Sequence, residues 1–107
     1  MGVKVVILES AGQDLKELKR YLVKHFSLGT WQDTYGKLKK AMRTLKDHPL
    51  SGTIPDELDG LNLTQYRQIV SGMNRIIYEV RQEIVYVHII VDGRRDLKGL
   101  LTRRLLR

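Results

Sequence analysis

The sequence predicts an α+β fold: an N-terminal strand, an α-helical hairpin, a three-stranded antiparallel meander that completes the sheet, and a short C-terminal helix. Three observations carry this. Tyr66–Asp96, YRQIVSGMNRIIYEVRQEIVYVHIIVDGRRD, divides into three strand-like runs joined by two tight turns and ends in an Arg-Arg-Asp corner. Two apolar stripes at helical spacing precede it. The length of 107 residues, with 42% hydrophobic and 29% charged residues, suits one domain over residues 1–107 with one modest core.

Taken in order, Val3–Leu8 is short and β-branched and reads as the first strand. Ser10 and Gln13 fit a capping box, and Asp14 adds a favourable negative charge in the first turn of a helix. Leu15, Leu18, Leu22 and Phe26 form its stripe, ending around Ser27–Gly29. Thr30 suits the cap of a second helix, with Asp33 at the capping-box position, and Trp31, Tyr35, Leu38, Met42 and Leu45 form its stripe. A short connection should set these helices antiparallel, stripe to stripe. His48-Pro49 ends the second helix, because proline disfavours a helical residue before it.

Leu50–Leu61, with Gly52, Pro55, Gly60 and three acids, reads as a loop. Leu63–Val70 is the second strand, Ser71-Gly72 a turn, Met73–Arg81 the third strand, and Arg81–Glu83 a weaker turn. Ile84–Val91 is apolar on both faces apart from Tyr86 and His88, as expected of a central strand covered on both sides. Beyond Asp92-Gly93, Leu97, Leu100, Leu101 and Leu105 stripe a helix that can dock on the sheet, with Arg103 and Arg107 facing outward.

The absence of cysteine excludes disulfides and thiolate chemistry, and fits a cytoplasmic protein. No secretory signal or membrane span is visible. The net charge of +7 favours an acidic or polyanionic partner. Cations crowd the second helix (Lys37, Lys39, Lys40, Arg43, Lys46) and the C-terminus (Arg94, Arg95, Lys98, Arg103, Arg104, Arg107), whereas Asp56, Glu57 and Asp59 make the central loop acidic.

No phosphate-binding glycine loop, zinc spacing or serine–histidine arrangement is present, so neither a metal nor another cofactor is expected. His25, His48 and His88 lie in different elements, and only His88 lies within the sheet, as a structural residue or a general acid–base. Arg67 and Arg75 flank the Ser71-Gly72 turn, and Arg94 and Arg95 follow the fourth strand. Converging guanidiniums would bind phosphates or stabilise a phosphorane-like transition state. The same arginines would equally serve to solubilise a sheet edge, paired with Asp92, Asp96 and Glu79.

The order strand–helix–helix–strand–strand–strand, with DLKELKRYL, TLKDHPLSG, YRQIVSGMNRIIYEV and the ending VHIIVDGRRDLKGLL, resembles the RelE/ParE toxin superfamily over nearly the whole chain. The resemblance implies the toxin of a type II toxin–antitoxin pair, held inactive by a cognate antitoxin, with operator DNA reached only through that antitoxin. RelE-like members cut messenger RNA on the ribosome; ParE-like members poison DNA gyrase. Carried over, the ribonuclease positions are Arg67, Arg75 and either Arg94 or Arg95, of which Arg95 is taken, with His88, Tyr78 or Tyr86 left to supply acid–base chemistry. However, Ile69 stands where a second basic group is usual, Asn74 replaces an aromatic residue, and the late tyrosine has no counterpart. The GRRDL ending followed by LLTRRLL looks more like the ParE branch. The favoured expectation is therefore a gyrase inhibitor without catalytic residues, which binds its target through Arg94, Arg95, Lys98, Arg103, Arg104, Arg107, Lys39, Lys40 and Arg43. The alternative is a ribosome-dependent, metal-independent endoribonuclease.

Overall fold

The structure, a computed structural model, describes residues 3–105. Strand β1 (Lys4–Ile7) leads into helices α1 (Glu9–His25) and α2 (Leu28–Asp47). A 3-10 turn at Asp56–Leu58 follows, then β2 (Tyr66–Ser71), β3 (Asn74–Arg81), β4 (Ile84–Asp92) and helix α3 (Leu97–Leu105). The four strands form one sheet in the order β1-β4-β3-β2. β1 runs parallel to β4, and the other two pairings are antiparallel. The predicted α+β architecture holds, with β2 starting at Tyr66 rather than Leu63, because Leu63 belongs to a turn whose carbonyl accepts from the Tyr66 N–H.

The sheet is covered on both faces, which is why β4 reads as almost wholly apolar. On one face the helical hairpin packs Ala11, Leu38, Met42 and Leu45 against Ile76, Tyr78, Val85, Val87 and Ile90. On the other face α3 and the 3-10 turn bring Leu97, Leu101 and Leu58 onto Tyr66, Ile77, Ile89 and Val91. Leu100 and Leu105 complete the α3 contact. Phe26 lies outside the α1 stripe assigned to it and is exposed, since α1 ends at His25 and the connection turns its ring to solvent.

Both expected helix caps are replaced. Leu8 is the N-cap of α1, and Ser10, already inside the helix, donates its hydroxyl to the His88 carbonyl at 3.3 Å. Ser27 caps α2, its Oγ accepting from the Thr30 N–H at 3.0 Å. In both cases the helix begins before the residue with the capping-box pattern.

A β-bulge shapes the centre of the sheet. Ile77 pairs with Ile89 and Tyr78 with Val87, which leaves His88 as the extra residue on β4. The bulge falls where β1 ends, because β1 pairs only with Ile84–Val87. Side chains complete the open edge beyond it. Asp14 accepts from the Ile90 N–H at 3.0 Å, and Arg104 donates to the His88 carbonyl at 2.7 Å. Arg104 also bonds both oxygens of Asp14 at 3.1 Å, so a clasp between α1 and α3 closes over the edge.

Candidate functional site

Residues paired across antiparallel strands share a face. Arg67 pairs with Tyr78, so it projects on the helix-covered face, whereas Arg75 and Glu79 project on the face covered by α3. Arg67 donates to the Gly52 carbonyl at 2.8 Å and to the Leu50 carbonyl at 3.3 Å, tying the loop after α2 to β2. Arg75 grips Glu57 through two 2.8 Å hydrogen bonds and also donates to Gln68 Oε1. His88 Nε2 lies 2.8 Å from Glu79 Oε1, and the imidazole stands edge-on to Tyr66.

The residues assigned to the ribonuclease alternative are therefore not brought together. Arg67 is separated from Arg75 and His88 by the sheet, and Arg75 and His88 each hold a carboxylate of their own. Arg95 lies in the exposed corner after β4, where its N–H donates to the Asp92 carbonyl. Tyr78 is fully buried and its hydroxyl accepts from the Gly52 N–H at 2.9 Å; burial raises its pKa, which holds the phenol protonated. Tyr86 is half-buried beneath the Arg81 guanidinium, 4.4 Å from its ring centroid.

The residues assigned to target binding divide into tied and untied cations. Arg94 is exposed but chelated by Asp92, and the Arg94 guanidinium holds the Asp92 carboxyl below its usual range. Arg104 is committed to the Asp14 clasp. Arg95, Lys98 and Arg103 are exposed and have no carboxylate partner among the described residues. Lys40 and Arg43 are likewise exposed on α2, and Lys39 lies 4.8 Å from the centroid of the Tyr35 ring. Arg107 lies outside the described residues.

Sequence reasoning did not assign Glu57, Gln68 or Asp14 as the acceptors that occupy these cations, whereas Glu79, expected to pair with an edge arginine, holds His88 at 2.8 Å and lies 3.5 Å from Arg81. Arg75 pulls the Glu57 carboxyl below its ordinary range against the cost of its burial. Tyr66 is raised, chiefly by burial and then by the Glu79 charge. An acidic loop in a basic chain was the one signal for Glu57; its pairing with Arg75 depends on where the loop returns over β3. Among the described residues, no buried side-chain polar atom lacks a partner and no group of three candidate ligands converges as a metal site would require. No helix there is long and apolar enough to cross a membrane.

The fold has counterparts among solved structures. The chromosomal ParDE toxin–antitoxin system of P. aeruginosa superposes with a TM-score of 0.70 at 10% identity, covering 84% of this chain and 95% of that one. A mutant of the E. coli toxin RelE in the free state gives 0.65 at 15% identity, covering 100% and 98%. The RelBE2 toxin–antitoxin complex of Mycobacterium tuberculosis gives 0.53 at 18%, covering 86% and 99%. At these identities the likeness is one of fold. No curated protein sequence matches significantly. The family model described as the ParE toxin of the type II toxin–antitoxin system parDE matches residues 5–97. The chain therefore belongs to the ParE toxin family, within the RelE/ParE superfamily of type II toxins.

Proposed function

We propose that this toxin acts on DNA gyrase by binding, without covalent chemistry of its own, and so halts DNA replication. The observation that carries the reading is the internal neutralisation of Arg75 and the commitment of Arg67 to loop carbonyls. A metal-independent nuclease needs guanidiniums free to meet a phosphate beside an acid and a base. Here the guanidiniums already hold partners and project from opposite faces of the sheet. Membership of the ParE family points the same way.

In this reading the toxin stabilises the state of gyrase in which DNA is cleaved. That shift requires tighter binding to the cleaved state than to the resealed one. Arg95, Lys98 and Arg103 near α3, with Lys39, Lys40 and Arg43 on α2, are the contact residues. Arg94 and Arg104 support them from their pairs with Asp92 and Asp14. The toxin works in the cytoplasm. Its cognate antitoxin carries an acidic segment that orders on the toxin beside α3, and operator recognition belongs to that antitoxin.

Pulse incorporation of labelled thymidine and methionine, minutes after induction of the toxin alone, tests the target. Thymidine incorporation should fall first while methionine incorporation continues, and purified toxin should accumulate cleaved DNA with gyrase. Early loss of methionine incorporation would overturn the reading in favour of the ribosome.

A further inference from the structure

Helix α1 turns a cationic stripe to solvent that the toxin reading leaves unused. Lys16, Arg20 and Lys24 succeed one another at four-residue spacing, and Lys19 flanks them; with Val23 they line one shallow depression of the surface. All four cations are exposed. None pairs with a carboxylate among the described residues, where the ion pairs use Lys37, Arg75, Arg81, His88, Arg94 and Arg104. On the same helix Asp14 is already committed to Arg104 and the Ile90 N–H.

The cations within this row repel one another, although Lys24, in the last turn, also complements the helix dipole. Like charges four residues apart destabilise a helix by about 0.2–0.5 kcal/mol per pair, and Lys16–Arg20 and Arg20–Lys24 are two such pairs. The stripe is also regular, winding gently about the helix as an i, i+4 row does. At 1.5 Å rise per residue, successive cations step by about 6 Å and the row from Lys16 to Lys24 spans about 12 Å. An external row of anions would relieve the repulsion.

We propose that this stripe is a sequence-independent docking surface for the phosphate backbone of double-stranded DNA. Its chemistry selects that occupant over other polyanions. Single-stranded nucleic acid is held by aromatic platforms on which bases stack, and no aromatic residue lines the depression; the exposed Tyr21 and Phe26 at the end of α1 lie against each other, and Tyr21 against His25. An acidic helical segment of a protein needs an apolar groove for its anchors, and Val23 is the one apolar residue here. A duplex backbone needs only spaced cations and offers one negative charge per about 1.7 Å of axis. Contact of this kind carries no sequence information, so operator recognition stays with the antitoxin. The proposal does not rest on the gyrase reading, because it concerns the toxin and DNA alone.

The test is fluorescence anisotropy of a labelled 20-base-pair duplex with purified toxin, titrated between 50 and 200 mM salt, without gyrase. Four phosphate contacts predict a log–log slope of about −3.6 and a loss of affinity of about 10²-fold across that range. The variant K16Q/K19Q/R20Q/K24Q should flatten the slope by up to that amount, while its thermal midpoint stays level or rises as the like-charge pairs are removed. Should it misfold, K16R/K19R/K24R keeps every charge and is expected to bind with the wild-type slope. An unchanged slope in a folded glutamine variant, or a lost one in the arginine variant, overturns the proposal. So does an equal loss per charge from K39Q/K40Q/R43Q, which would make the binding diffuse. Tighter binding of a single strand of the same sequence, or of a poly-glutamate peptide of equal charge, assigns the stripe to a different partner and overturns it as well.

Discussion

Gly52 and Glu57 show how much depends on single residues of the loop between α2 and β2. A Cβ at Gly52 would lie 2.5 Å from both the Gln68 carbonyl oxygen and the Tyr78 hydroxyl, so a side chain there must push backbone or a buried ring. Gly52→Ala should therefore cost about 1–3 kcal/mol, the range of core overpacking, read as a lower urea midpoint with unchanged slope. A midpoint equal to wild type would mean that the loop yields freely. Glu57 gives a pH signature. Arg75 lowers its folded pKa below the ordinary value of 4.5, so on acidification the unfolded chain takes up the proton first. The stabilisation is thus complete above that ordinary value and is lost as pH falls through the folded value. The thermal midpoint should drop more steeply between neutral and acid pH in the wild type than in Glu57→Gln; parallel curves would remove Glu57 from the account.

At the scale of elements, the two hairpins differ in how well their turns suit their residues. Between β2 and β3, Gly72 takes the positive φ of 60° that a tight two-residue turn requires, at no steric cost. Between β3 and β4, both Gln82 and Glu83 have positive φ, 50° and 67°, without the asparagine or glycine that such a turn prefers. The weaker turn signal in the sequence thus corresponds to real backbone strain. Replacing the pair in Q82N/E83G should stabilise the fold by about 1 kcal/mol. A gain of that size would raise the thermal midpoint by roughly 4 °C; a midpoint that falls would argue that the two side chains contribute more than their backbone costs. The elements themselves were legible because periodicity reports burial: the α2 stripe and the apolar run of β4 both lie where the pattern put them. The caps were not, because a serine that suits a cap on local pattern can be claimed by a distant carbonyl, as Ser10 is by His88.

At the scale of the whole molecule, the surplus of positive charge separates into a structural and a free part. Arg67, Arg75, Arg94 and Arg104 are bonded to loop carbonyls or carboxylates, whereas Arg95, Lys98 and Arg103 face solvent. R95A/K98A/R103A should therefore weaken toxicity by at least tenfold in inducer dose while changing stability little, since surface substitutions are usually within about 0.5 kcal/mol. Full toxicity in a folded triple variant would move the target surface elsewhere. Arg104→Ala should behave oppositely, lowering stability by about 1–3 kcal/mol as Asp14 and the His88 carbonyl lose their shared donor.

Element order, the two-sided burial of β4, the hairpin of helices and the family are legible along the chain, because they follow from periodicity, turn chemistry and phrase order. Which arginines are available is set by packing in three dimensions. Whether a guanidinium faces solvent or a carboxylate depends on strand register, on the bulge at His88 and on loops that return from distant positions. A register shift of one residue turns every side chain of a strand to the other face, and composition carries no record of that choice.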